Sequence, residues 1–187
     1  MPLYSATCPL PKSRMLTRRR PSVRNVPIVN PNFSNLTGLT YTDPVNGWYQ
    51  GVPFGWNSES TSDKSYSVLS TDGVFYANLS QLASASPFQR FYQDLVGTLS
   101  SPATATLTLK ACMLATGANG GLGFAFYNST NDDLIANSNE TIEWVPHPPS
   151  SPKTVSFTVS APAATPVRLA FWSSNAIGIR DISITLS

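Results

Sequence analysis

The last third of the chain limits the fold more than any other stretch. Thr154–Ser160 (TVSFTVS) alternates hydroxyl side chains with Val155, Phe157 and Val159. After turn residues at Ala161–Thr165, Pro166–Trp172 repeats the pattern with Val167, Leu169 and Phe171. The terminal run carries Ile177 and Ile179 at odd positions, then Ile182, Ile184 and Leu186 at even ones. Period-two alternation is what a half-buried strand requires, because successive side chains point to opposite faces. The change of parity at Arg180–Asp181 predicts a bulge there, or a strand buried on both faces. Three such strands in succession demand a second layer to cover their apolar side.

The preceding residues can supply that layer. Ser65–Ser70 and Gly73–Leu79 flank Asp72-Gly73, a hairpin signal. Thr104–Met113 (TATLTLKACM) places Leu107, Leu109, Ala111 and Met113 on one face, and Leu122–Tyr127 follows the glycine cluster 117–123. Val26–Val29 reads as a first strand and Gly38–Trp56 as a loop. Leu134–Ala136 and Thr141–Val145 read as a pair across a turn at Asn137–Asn139. Ser86–Leu99 supports two readings. Phe88, Phe91, Tyr92, Leu95, Val96 and Leu99 have helical spacing behind Ser86-Pro87, with Gln89 completing a capping box, whereas Phe91, Gln93 and Leu95 alternate as in a strand. Periodicity alone favours the helix. About nine to eleven short strands separated by turn signals make an all-β sandwich or jelly roll.

Charge divides the chain in two. Residues 1–25 contain Lys12, Arg14, Arg18, Arg19, Arg20 and Arg24 and no acid, giving +6; the remaining six basic and all ten acidic side chains leave residues 26–187 at −4. The leader is proline-rich and has no alternation, so it is expected to be an extended arm, 1–25, attached to a β body, 26–187. Charged residues are only 12% of the whole, about half the usual share, a balance found in sandwich domains of virions and secreted proteins. Met1–Leu16 lacks the apolar run of a signal peptide, and no stretch has the length of a membrane span. Cys8 and Cys112 are read as free thiols, the latter as a small core residue.

Five short motifs, Asn30-Pro31-Asn32-Phe33, Gly55-Trp56, Tyr92-Gln93-Asp94-Leu95, Thr106-Leu107-Thr108-Leu109 and Ile177-Gly178-Ile179-Arg180-Asp181-Ile182-Ser183-Ile184, occur in an order that resembles the jelly-roll carbohydrate-binding modules. These belong to the galactose-binding-like superfold, which also occurs in phage virion surface proteins. The resemblance runs from about Val26 to the C-terminus and implies a jelly-roll β-sandwich, with Tyr92–Leu95 in a strand. Family members often carry an acid directly after the Phe of the first motif, where it helps hold a structural calcium. Ser34 stands there in this chain, so no metal is expected and Asp181 remains the lone calcium candidate.

Catalytic signatures are missing. The single histidine, His147, lies in Pro146-His147-Pro148-Pro149 with nothing to mark a nucleophile or orienting acid. Asp132-Asp133 reads as a turn, and one His with two distant Cys makes no zinc pattern. The expectation is a non-enzymatic protein without cofactor. Flat aromatic faces stack on sugar rings, and Trp48, Tyr49, Trp56 and Trp144 lie in or beside expected loops, so these are the candidate glycan residues. Core packing is the competing reading for Trp56 and Trp144. The arm's charge, diluted with Pro, Leu10, Met15 and Leu16, suits docking on an acidic protein surface better than binding nucleic acid.

Together these readings point to a structural component of a virus particle, from a phage. It would be made in the host cytoplasm and act as a capsid decoration (cement) or tail-associated protein. Its arm would dock on a capsid or tail protein, and its body would form a homo-oligomer, with a trimer as the expected state. A carbohydrate-binding adhesion module contacting a host surface glycan is the alternative. A single-jelly-roll capsid subunit with a genome-binding arm is the second alternative.

Overall fold

The computed structural model describes residues 24–43, 47–59, 67–71, 73–79, 90–98, 103–114, 117–143, 153–161 and 166–187. These form thirteen strands and no helix. The first six are β1 (Arg24–Val26), β2 (Thr40–Asp43), β3 (Trp48–Gln50), β4 (Asn57–Ser58), β5 (Ser67–Thr71) and β6 (Val74–Asn78). Longer strands follow: β7 (Phe91–Thr98), β8 (Ala103–Met113), β9 (Gly120–Asn128), β10 (Leu134–Ile142), β11 (Lys153–Ala161), β12 (Pro166–Ser173) and β13 (Ile177–Leu186). One sheet has eight strands in the order β11-β8-β13-β6-β5-β3-β2, with β1 also on β13; the other has five, β10-β9-β12-β7-β4.

The alternation read from the last third is what joins the sheets. On the eight-stranded side, Leu107, Leu109, Ile177, Ile179, Ile182 and Ile184 are buried; on the five-stranded side, Phe91, Leu122, Phe124, Phe126, Leu169 and Phe171 meet them. Each such side chain contributes about 1.5–3 kcal/mol by leaving water. The parity change is a bulge. Register shifts between Arg180 and Ser183 along β8, and Asp181 takes φ 51. That extra residue returns Ile182 to the core side and lets its N–H reach Pro31 O at 3.1 Å.

The mouth of the sandwich between β1 and β4 is closed by Phe33, Trp56 and Gln93. Phe33, in a turn at φ 57, is fully buried; its ring lies 5.4 Å from Trp56 and 6.1 Å from Phe91. Buried Gln93 accepts from Val29 N (2.9 Å) and donates to Val29 O (3.0 Å) and Gly55 O (2.7 Å). Trp56 Nε1 donates to Val29 O at 3.1 Å. Gly55 has φ +81, and a Cβ there would lie 2.3 Å from Val29 Cγ1, so the approach requires glycine. This clamp is what Asn30-Pro31-Asn32-Phe33, Gly55-Trp56 and Tyr92-Gln93 do together.

Several sequence expectations need correction. Residues 91–98 are a strand, as the family resemblance implied and against the helical periodicity: β7 is paired on both sides, so ladder bonds and core contacts overrule its helical spacing. The expected turn at Asn137–Asn139 is absent, and residues 134–142 form one strand along β9, because the neighbouring strand satisfies backbone groups that a turn would have used. The expected loop 38–56 contains β2 and β3, and the first strand ends at Val26 with 27–29 outside it. Cys112 is a free, buried thiol but points away from the inter-sheet core; burial pushes its pKa up to about 11, against Arg180 and a hydrogen bond with Tyr76. Lys12, Arg14, Arg18, Arg19, Arg20, Cys8, Trp144 and His147 lie outside the described residues, and Arg24 is exposed at the start of β1.

Candidate functional site

Strand pairing fixes which side chains share the outer face of the five-stranded sheet. With Leu122, Phe124, Phe126, Leu169 and Phe171 committed to the core, the residues between them must face outward. Three cross-strand rows result. Asn139, Gly123 and Trp172 form the first. Asn137, Ala125, Ala170, Tyr92 and Asn57 form the second, and Leu134, Tyr127, Arg168 and Asp94 the third.

The first row is shaped by a missing side chain. A Cβ at Gly123 would lie 2.0 Å from Trp172 Cε2 and 2.1 Å from its Nε1. The indole is therefore pressed against the β9 backbone, in space that any other residue would fill. Trp172 is half-buried, and Asn137, Asn139 and Thr141 of β10 are exposed beside it. An aromatic plane next to side-chain amides is the chemistry that meets a pyranose ring and its hydroxyls.

Across the second and third rows the tyrosine faces are already covered. The Arg90 guanidinium sits 4.5 Å from the centre of the Tyr127 ring, and that of Arg168 sits 4.1 Å from Tyr92. Both arginines are fixed by acids. Arg90 Nε donates to Glu59 Oε1 at 2.8 Å and its Nη1 to Asp132 Oδ1 at 2.9 Å. Arg168 donates to Asp94 Oδ1 (2.7 Å) and to Asp132 Oδ1 (3.2 Å). Hydrogen bonds from Arg90 hold the Asp132 carboxyl below its ordinary pKa, while bonding to Glu59 and Asp94 raises that of Arg90 and Arg168 respectively. Three carboxylates around two guanidiniums leave this cluster with no surplus positive charge to attract an acidic ligand.

Among the described residues, the aromatic side chains expected at a glycan site do not gather. Trp56 is 5% exposed and stacks on Phe91 at 4.7 Å, which makes it a core residue and not a glycan platform. Trp48 and Tyr49 belong to β3 in the other sheet, where Tyr49 packs 4.7 Å from Tyr41 and 6.2 Å from Phe75. Asp181 pairs with Lys110 at 3.0 Å and Arg180 at 3.5 Å. Two cations already occupy that carboxylate, and no group of three or more metal-binding side chains occurs among the described residues, so calcium does not fit there.

Sequence reading missed Trp172, Tyr92 and Arg168. A signal was present in Gly121-Leu122-Gly123-Phe124-Ala125-Phe126. Its small residues fall on the face opposite the aromatic core, which marks a surface on which a neighbour's large side chain can lie down.

No family model and no curated protein matches the sequence. Among solved structures, the chain is similar to the N-terminal CBM22-1–CBM22-2 tandem domain of Xyn10C from Paenibacillus barcinonensis. The TM-score is 0.53 at 12% identity, over 72% of this chain and 46% of that one, so the chain spans about half the tandem's length. The chain has the fold of a jelly-roll carbohydrate-binding module. A CBM4 structure superposes over 86% of this chain and 100% of that one, at TM-score 0.49 and 15% identity. In this chain the two sheets have five and eight strands, and the outer face of the five-stranded one carries the Trp172 row.

Proposed function

We propose that this protein binds a glycan through the outer face of its five-stranded sheet, with Trp172 as the stacking platform. Asn139 and Asn137 would supply hydrogen bonds to hydroxyl groups. The observation that carries this reading is the Asn139–Gly123–Trp172 row, in which an indole lies against a glycine next to exposed amides. The protein acts by adhesion and not by turnover. The test is affinity electrophoresis of the full chain through gels containing soluble β-glucan or xylan. Retardation that Trp172→Ala abolishes and Trp48→Ala preserves, with native circular dichroism retained in both, supports the reading; retention that survives Trp172→Ala refutes it.

The charge division supports a second element. Six basic residues in the leader, set against a body of charge −4, suit an arm that fastens the module to an acidic protein surface. A virus particle, as a capsid decoration or tail-associated component, is such a setting, and it would present the glycan face to a host. Deleting residues 1–25 should then abolish incorporation into particles while the body still folds. Particles that retain the truncated protein would refute this placement.

A further inference from the structure

Strand edges expose unpaired N–H and C=O groups, and proteins blunt them with charge, proline, bulges or short length. Five described strands are paired on one side only, and four of them show such devices, β1 by having just three residues. Strand β2 has four residues and a register shift between Tyr41 and Asp43; β4 has two residues; β10 shifts between Leu134 and Ala136 and carries Glu140. Strand β11 ends the eight-stranded sheet, and apart from Lys153 at its first position it has none of them. It pairs with β8 through nine consecutive residues, Lys153–Ala161, without a shift, and no other described strand pairs with it. Between Lys153 and Ala161 there is no charge, proline or glycine, and Thr154, Ser156, Thr158 and Ser160 are exposed.

The sequence of this edge is also symmetric about Phe157. Reading outward in both directions gives hydroxyl, valine, hydroxyl: Thr158, Val159, Ser160 one way and Ser156, Val155, Thr154 the other. A two-fold contact requires a surface complementary to itself. An antiparallel pair of β11 strands centred on Phe157 meets that requirement at every position from 154 to 160. It sets Thr154 against Ser160, Val155 against Val159 and Ser156 against Thr158.

We propose that β11 pairs antiparallel with β11 of a second copy, joining two eight-stranded sheets into one continuous sheet across a two-fold axis. The unit is a dimer, in place of the trimer suggested by the particle reading. The axis of such a pair is normal to the sheet, so both five-stranded sheets lie on the same side of the joined one. On the reading of the Trp172 face as a glycan site, the dimer presents two such faces in one direction, and a surface bearing many glycans is held bivalently.

The experiment is sedimentation velocity on the full chain across a concentration series, repeated with paired substitutions on exposed positions. In S156K/T158K each introduced lysine faces a lysine of the partner, twice per interface. The variant should dimerise at least about tenfold more weakly, with unchanged circular dichroism; within the subunit it gives up the exposed 3.2 Å contact between Thr158 and Thr106 hydroxyls. In S156E/T158K the same two-fold sets glutamate against lysine, and the dimer should return. A wild-type chain that stays monomeric, a dimer indifferent to the two lysines, or a charge-matched variant as weak as the lysine pair overturns the proposal. A dimer that responds as expected but binds no polysaccharide leaves the strand pairing standing and removes the glycan reading alone.

Discussion

Replacing Gly123 with alanine tests the packing of Trp172 with a single methyl group. The added Cβ would meet three indole atoms at 2.0, 2.1 and 2.5 Å, where carbon atoms ordinarily rest about 3.5–4.0 Å apart. The ring must therefore move by about 1.5 Å. Overpacking of this kind costs about 1–3 kcal/mol, which in a chain of this size lowers the melting temperature by about 2–4 °C for each kcal/mol. In a Trp172→Ala background the obstruction is gone, and the same substitution should be neutral or slightly stabilising, because alanine loses less backbone freedom in a strand than glycine. Urea denaturation of wild type, Gly123→Ala, Trp172→Ala and the double variant closes the cycle, and the coupling should equal most of the single-variant cost. An equal cost in both backgrounds would show that the indole does not lie against Gly123, and the described face would then be wrong.

Other consequences are independent of that contact. Gln93→Leu removes the side-chain partners of Val29 N and Gly55 O, while Val29 O keeps Trp56 Nε1, and should cost about 0.5–1.5 kcal/mol for each bond lost, read as a lower urea midpoint. Asp132→Asn should flatten the acid limb of the stability profile. The Asp132 carboxyl is held below its ordinary value by Arg90, so its contribution is complete above about pH 4 and disappears as pH falls through the folded-state value; equal acid sensitivity of wild type and variant would contradict the assignment. Cys112 should resist alkylation at neutral pH in a Cys8→Ser background, since burial raises its thiol to about 11, and rapid labelling of the native protein would contradict its placement.

The fold was legible where one physical signal acted alone. The three strands within residues 154–187 follow from their alternation, whose parity break at Arg180–Asp181 allowed a bulge or a strand buried on both faces; the register shift along β8 makes it a bulge. Residues 86–99 carried two periods at once. Helical spacing and strand alternation share Phe91 and Leu95, and pairing with β12 and β4, distant in sequence, makes the segment the strand that the family resemblance implied. Residues 137–139 (Asn-Ser-Asn) have turn chemistry, yet they continue a strand because β9 offers a full ladder. The candidate site was harder to read for the same reason. Trp172 and Gly123 are 49 positions apart, and nothing local to either records that they share a row. Trp56, by contrast, reads as a loop aromatic until Gln93, Val29 and Phe91 are placed around it.

The central claim, that this sandwich holds a glycan on its five-stranded face, is tested most directly by following indole N–H resonances of the full chain during titration with an oligosaccharide of the retained polymer. The Trp172 Nε1–H signal and the Asn139 side-chain amide should move together with saturation, while the Trp56 signal stays fixed. Movement of Trp48 with Trp172 unchanged would place the ligand on the other sheet and contradict the account.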